Sequence, residues 1–195
     1  MAKSAGTLTY DCCSGTPGWR PNKLRIKKFA ARTLVVALGG AGLILGFGLG
    51  SSDAQAGTSC YSANGQEMQR VVGNSGCGSR AGVGSTARAE ETSGNGTAVA
   101  VSDNRGNATA RNTQPGSTAL AGANSGGTAY SVTTGPKALS MAQARSGGYA
   151  VSVGGWGGQA MSGPQGVACS GGFAAAVDTT TGKACVKSGS LDLRN

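Results

Sequence analysis

The side chains that could do chemistry here are few, and histidine is not among them. Without imidazole there is no Ser-His-Asp or Cys-His nucleophile, no His-ligated zinc or haem, and no imidazole acid–base group. Cysteine, aspartate and glutamate remain. Downstream of residue 56 lie four cysteines: Cys60, Cys77, Cys169 and Cys185. None belongs to a two-residue chelating spacing, so zinc is not expected. An even count suits two disulfides in an oxidising compartment. Three pairings are possible. The two close pairs, Cys60–Cys77 and Cys169–Cys185, are expected, each closing a short loop worth about 3 kcal/mol. Cys12 and Cys13 are vicinal and receive no metal role.

The carboxylates do not assemble into a reactive pair. Glu90 and Glu91 are neighbours, and neighbours on a strand point to opposite faces; both are expected at a solvated edge. Asp103 or Asp178 could act only alone, whereas acid–base work usually needs a partnered group. The run Gly154-Gly155-Trp156-Gly157-Gly158-Gln159-Ala160-Met161-Ser162 overlays a calcium-binding nonapeptide. Gln159 stands where the ligating Asp belongs, so no metal is expected. Gly182-Lys183 lacks the rest of a phosphate loop, and Gly76-Cys77-Gly78 fails the dinucleotide pattern. No cofactor is expected. Trp156 and Tyr149 are candidate ligand contacts, able to stack on a sugar ring. The arginines are scattered and short of aromatic partners, so nucleic acid is not expected. Ten cations against six acids downstream of residue 56 leave a net +4, which could favour anionic envelope polymers.

Residues 23–56 read as an export signal. Lys23, Arg25, Lys27, Lys28 and Arg32 precede an apolar run from Leu34 to Leu49, then Ala54-Gln55-Ala56. Basic, apolar and small-x-small is the order of a secretory signal helix. Cleavage is expected between Ala56 and Gly57; an uncleaved anchor over 33–50 is the alternative. Membrane contact is expected only through this segment. Residues 1–22 form an N-terminal extension, either a cytoplasmic tail or a misassigned start, with translation beginning near Leu24.

Between the cysteine pairs a short unit recurs, Ala-x-(Ala or Ser). Its first alanines are Ala87, Ala98, Ala108, Ala119, Ala129, Ala138, Ala150 and Ala160, spaced 11, 10, 11, 10, 9, 12 and 10 residues apart. Gly, Asn, Ser, Thr and Pro fill the gaps. Short runs divided by turn chemistry read as strands, and a near-fixed period reads as a solenoid. The expected fold is all-β: a short-rung β-solenoid or β-roll with disulfide-stapled ends, or alternatively a β-sandwich of short strands. The expected divisions are 57–84 as N-terminal cap, 85–162 as repeat region and 163–195 as C-terminal cap. In the last, 173–177 should pair with 183–187 across a turn.

Alternation separates a small ladder from a larger one. The larger holds Arg88, Val99, Thr109, Leu120, Tyr130, Leu139, Val151 and Met161. Either ladder could face the core. If the small residues fill a thin coil, the larger ladder lies outside and must be covered by another chain. The candidate oligomer ladder is Val99, Leu120, Tyr130, Leu139, Val151 and Met161.

The exported part, from Ser59-Cys60-Tyr61-Ser62 to Lys183-Ala184-Cys185, resembles a family of small exported mycobacterial proteins of unknown function. Gly96-Thr97-Ala98-Val99-Ala100-Val101, the run 121–129 and the run 154–160 carry the likeness. It implies export and an actinobacterial envelope setting, and supplies no activity. The Ala-x-Ala rungs over 86–162 are also similar to the head repeats of trimeric autotransporter adhesins. The expected function is a non-enzymatic structural or interaction protein of the envelope or extracellular space, acting by self-association or on an envelope glycan. A glycan-binding module is the alternative, and a lone-carboxylate enzyme the third reading.

Overall fold

A computed structural model describes residues 57–195. The extension 1–22, the signal 23–56 and the Ala56 side of the cleavage site lie outside the described residues. The strands in chain order are β1 (Thr58–Ala63), β2 (Glu67–Val72), β3 (Asn74–Ala81), β4 (Thr86–Glu91), β5 (Asn95–Ser102), β6 (Asn107–Asn112), β7 (Ser117–Ala123) and β8 (Thr128–Thr133). They continue with β9 (Leu139–Ala144), β10 (Tyr149–Gly155), β11 (Gln159–Gly163), β12 (Gly166–Ser170), β13 (Phe173–Asp178), β14 (Lys183–Ser188) and β15 (Leu191–Arg194). They form two sheets, ordered β1-β4-β6-β8-β10-β13-β14-β15 and β12-β11-β9-β7-β5-β3-β2, called sheet A and sheet B below. From β3 to β11 successive strands alternate between the sheets, which is a β-solenoid of about four turns with two strands per turn.

Each turn takes 21 residues through most of the coil. Ala87, Ala108, Ala129 and Ala150 lie side by side in sheet A, and Cys77, Ala98, Ala119 and Ser140 in sheet B. The ten-residue period in the sequence is therefore half a turn, and alternate Ala-x-Ala units belong to opposite sheets. One unit is displaced: Ser140-Met141-Ala142, not Ala138-Leu139-Ser140, lies beside Ala119-Leu120-Ala121. With Ser140 in place of Ala138 the irregular 9 and 12 become 11 and 10.

The small ladder fills the coil. Ala89, Ala110, Ser131, Ser152 and Ala176 face Ala98, Ala119, Ser140 and Ala160, and all are buried. Cys60 and Cys185 end the first column, Cys77 and Cys169 the second. Both expected disulfides, Cys60–Cys77 and Cys169–Cys185, close the ends of this one pair of columns, with Cα atoms 5.8 and 5.9 Å apart. Sheets in ordinary sandwiches stand about 10 Å apart, so a chain bridged at these distances leaves room for little beyond a methyl or hydroxyl group. The hydroxyls join across the gap: Ser131 Oγ donates to the Ser140 carbonyl at 2.7 Å, and Ser140 Oγ to the Ser152 carbonyl at 2.8 Å.

Tight turns carry the chain between sheets at one corner. Asp103–Gly106, Asn124–Gly127 and Arg145–Gly148 each close with an i+3 to i hydrogen bond and have both central residues at positive φ, the primed two-residue geometry. The turns stack: Gly126 N donates to Asn104 O, Gly147 N to Ser125 O, and Asn104 Nδ2 to Asn124 Oδ1 at 2.9 Å.

Pairing within the coil is parallel and switches to antiparallel at both ends, at β1–β4, β2–β3, β10–β13 and β11–β12. The C-terminal hairpin forms over Phe173–Asp178 and Lys183–Ser188, returning Cys185 to Cys169. At the other end, β3 within 57–84 already pairs in parallel with β5. Charge closes the C-terminal edge: Asp192 bridges Lys187 at 3.4 Å and Arg194 at 2.7 Å. The bond from Arg194 holds the Asp192 carboxyl below its ordinary value of 3.8. Such paired charges discourage a further strand from adding.

Ala119→Leu should lower stability by about 3 kcal/mol in chemical denaturation, since a larger side chain in a packed core forces backbone shifts. Thr118→Leu, one residue along and facing out, should stay within about 0.5 kcal/mol.

Candidate functional site

With the core filled by small residues, the larger side chains stand outside, and the two sheets present two different faces. On sheet B, Val99, Leu120, Met141 and Met161 follow one another on β5, β7, β9 and β11. Val101 and Leu139 flank them. The remaining outward residues of these four strands are Asn95, Thr97, Thr118, Gly122, Gln143, Gln159 and Gly163, none of them charged. Arg80 and Glu67 sit opposite each other further along, on β3 and β2.

Sheet A has a charged half and an apolar half. Glu90 accepts from Arg88 and lies 3.7 Å from Arg111. Further along, Tyr130, Val151 and Val177 share one row, and Val132, Val153, Ala175 and Val186 the next. The candidate oligomer ladder thus divides: Val99, Leu120, Leu139 and Met161 lie on sheet B, Tyr130 and Val151 on sheet A. They do not form one surface.

The two aromatic candidates also separate. Tyr149 opens β10 and Trp156 follows its end, so the strand's seven residues put them roughly 20 Å apart. Trp156 sits in the turn Gly155–Gly158 with 70% of its surface exposed and φ of +42°. Positive φ costs energy in a bulky residue. The neighbouring backbone is close: a Cβ on Gly135 would come within 1.9 Å of Trp156 N, and one on Gly158 within 1.6 Å of Phe173 O. Tyr149 instead shares the outer face of sheet A with Tyr130, on the adjacent strand and two positions along.

The acidic residues serve the fold. Glu90 faces out as expected, but Glu91 is not at a solvated edge: it is 1% exposed and points into the coil. Opposite-facing neighbours on a strand whose inner side is buried must place one of the pair inside. Glu91 accepts from Ser93 N at 2.8 Å, Gly94 N at 3.1 Å and Asn112 Nδ2 at 3.4 Å, and from the hydroxyls of Ser75 and Ser93. Ser75 in turn meets Thr58 Oγ1 at 3.0 Å. Asn112 fits because Gly96 lies opposite; a Cβ there would stand 2.0 Å from Asn112 Nδ2. Sequence reasoning missed this network, though Glu91 and Asn112 stand 21 residues apart, one full turn. Asp178 is buried and accepts from Thr180 N and Thr181 N at 3.1 Å each. Asp103 accepts from Asn104 N at 2.9 Å. Both hold turns.

This arrangement defines a disulfide-stapled β-solenoid with a polar-lined, small-residue core. The chain belongs to a family of unknown function, DUF6764, whose match covers residues 25–188. No curated protein and no solved structure matches it.

Glu91→Gln turns an oxygen acceptor into an amide donor among donors. It should cost about 2 kcal/mol, the scale of an unsatisfied buried polar group, while Glu90→Gln should change the denaturation midpoint little.

Proposed function

We propose that this is an exported, non-enzymatic interaction protein of the cell envelope or extracellular space. The observation that carries the reading is the inversion of side-chain size. Alanine, serine and cysteine fill the inside, and the valines, leucines, methionines and tyrosines are left on the two outer faces, where a partner can reach them. The paired cysteines suit an oxidising compartment. The basic, apolar, small-residue order of 23–56 supports export to it, and the resemblance to exported mycobacterial proteins points to an envelope setting. Asp103, Asp178 and Glu91, the carboxylates a hydrolase would draw on, are each bound into turns or the core, which favours scaffold over catalyst.

Intact mass tests this on protein taken from culture filtrate and from envelope. The expected species is Gly57–Asn195, gaining about 4 Da on reduction, two hydrogens for each of two bridges. Free thiols, or a species retaining 33–50, would sink the exported, released form.

A second reading, glycan contact, is favoured by Trp156 alone. An exposed indole held at positive φ is strain the fold keeps, and an indole face packs on the apolar side of a pyranose ring. Trp156→Ala should release the protein from an envelope polysaccharide column while Tyr149→Ala should not. Equal retention of both variants and the native chain would remove this reading.

A further inference from the structure

We propose that the end of the coil formed by β1 and β2 binds an extended acidic segment of another protein, taken up as an added strand beside β1. The inference rests on the interaction-protein reading and names where the partner sits and what chemistry it brings.

β1 is the outermost strand of sheet A at this end, and β2 the outermost of sheet B. In an antiparallel pair, alternate residues exchange their main-chain hydrogen bonds. Asn64 N donates to Ser85 O at 3.2 Å, continuing the register of β1 on β4. Counting back by two, Ser62, Cys60 and Thr58 give their main-chain groups to β4. Ser59, Tyr61 and Ala63 turn theirs to the open side. Such a row is a template for a further strand.

β2 supplies the opposite wall. Cross-strand partners share a face, so Met68, Arg70 and Val72, opposite Ser79, Cys77 and Ser75, stand on the inner side of sheet B. Ser75, Cys77 and Ser79 are buried, whereas every residue of β2 is exposed: sheet A ends at β1 and does not cover it. A strand added beside β1 would lie over those three side chains.

The site dictates what that strand carries. Cys60 and Cys77 hold the two sheets with Cα atoms 5.8 Å apart here, so its inward positions suit small residues. Arg70 sets the charge. An arginine stands inward beside each disulfide, Arg70 opposite Cys77 and Arg194 opposite Cys185. Arg194 is satisfied from within its own end: it donates to Asp192 at 2.7 and 2.9 Å and to Cys169 O at 3.2 Å. None of the ion pairs among the described residues includes Arg70. The end that carries its own acid is closed, and the end that lacks one takes a carboxylate from a partner, in the row of Cys60, where a guanidinium can bind it through two bonds. A second copy docked by the same end would set Arg70 against Arg70, and the acid at the other end is already engaged, so the occupant is a different chain.

The test uses the oxidised protein in the processed form its cells accumulate, labelled with nitrogen-15 and titrated with the peptide acetyl-Thr-Ser-Val-Asp-Val-Ser-Thr-amide. Its alternation places Ser, Asp and Ser inward. The expected result is a saturable shift of the Ser59, Tyr61 and Ala63 amide signals with a Kd below about 1 mM. Peptides with Asn or Lys in place of Asp should bind at least about tenfold more weakly. Arg70→Glu should exchange the preference, losing the Asp peptide and gaining the Lys peptide. Tyr61→Pro removes the central donor of the open edge while keeping Arg70, and should weaken the Asp peptide at least about tenfold. Arg145→Glu, in the turn between β9 and β10, should leave binding in place. Absence of free thiol and an unchanged circular dichroism spectrum show that each variant is folded; should Tyr61→Pro fail to fold, the exchange of preference in Arg70→Glu decides.

No shift at those three amides up to about 5 mM peptide, or equal binding of the Asn peptide, overturns the proposal. So does binding that Tyr61→Pro keeps and Arg70→Glu loses, which would leave a surface ion pair in place of an added strand. None of these touches the exported reading, which fails on a different observation, reduced protein retained inside the cell.

Discussion

Everything in this molecule follows from how close its two sheets stand. The disulfides at either end hold backbones 5.8 and 5.9 Å apart at the Cα atoms. At that separation two facing side chains share the space that one leucine would fill. Alanine, serine and cysteine are admitted, and threonine or asparagine only where a glycine or another small residue lies across from it, as Gly96 does for Asn112. A core of methyl groups buries little apolar area per residue. The ladders of backbone hydrogen bonds, the stacked turns and the two covalent bridges therefore carry more of the fold than they would in a sandwich of ordinary thickness.

The same closeness explains why serine interchanges with alanine along the core columns. A buried hydroxyl without a partner is costly. Here the opposite sheet is near enough that Ser62 meets Ser79, and Ser131, Ser140 and Ser152 connect to one another, whereas the buried hydroxyls of Ser102 and Ser162 have no partner among the described residues. The polar network around Glu91 extends this at one corner. A wholly enclosed carboxylate is tolerated because two backbone N–H groups, an amide and two hydroxyls converge on it.

Much of this was legible in the sequence. The Ala-x-Ala period announced the rungs, the spacing of the cysteines gave the pairing, and Phe173 to Lys187 read as a closing hairpin. The half-turn nature of the period was harder to see. Spacings of 11 and 10 alternate because odd and even rungs meet different corners, and one ladder on paper becomes two faces in space. The shift at Ala138 arises because Ala138 and Ser140 both point inward, so either satisfies the pattern; only register beside Ala119 distinguishes them. The direction of the small ladder could not be read from alternation, which is symmetric between faces. The division of Tyr149 from Trp156 by a whole strand, and the burial of Glu91, depend on the same register.

Both staples terminate a single pair of columns, and every turn between them is closed by its neighbours alone. A chain built this way is indifferent to its own length. Inserting or deleting 21 codons between β4 and β10 would lengthen or shorten the rod by about 4.8 Å and leave both end plates as they are. Within one family, copies of different reach can therefore arise by slippage in the gene, without any redesign of the ends.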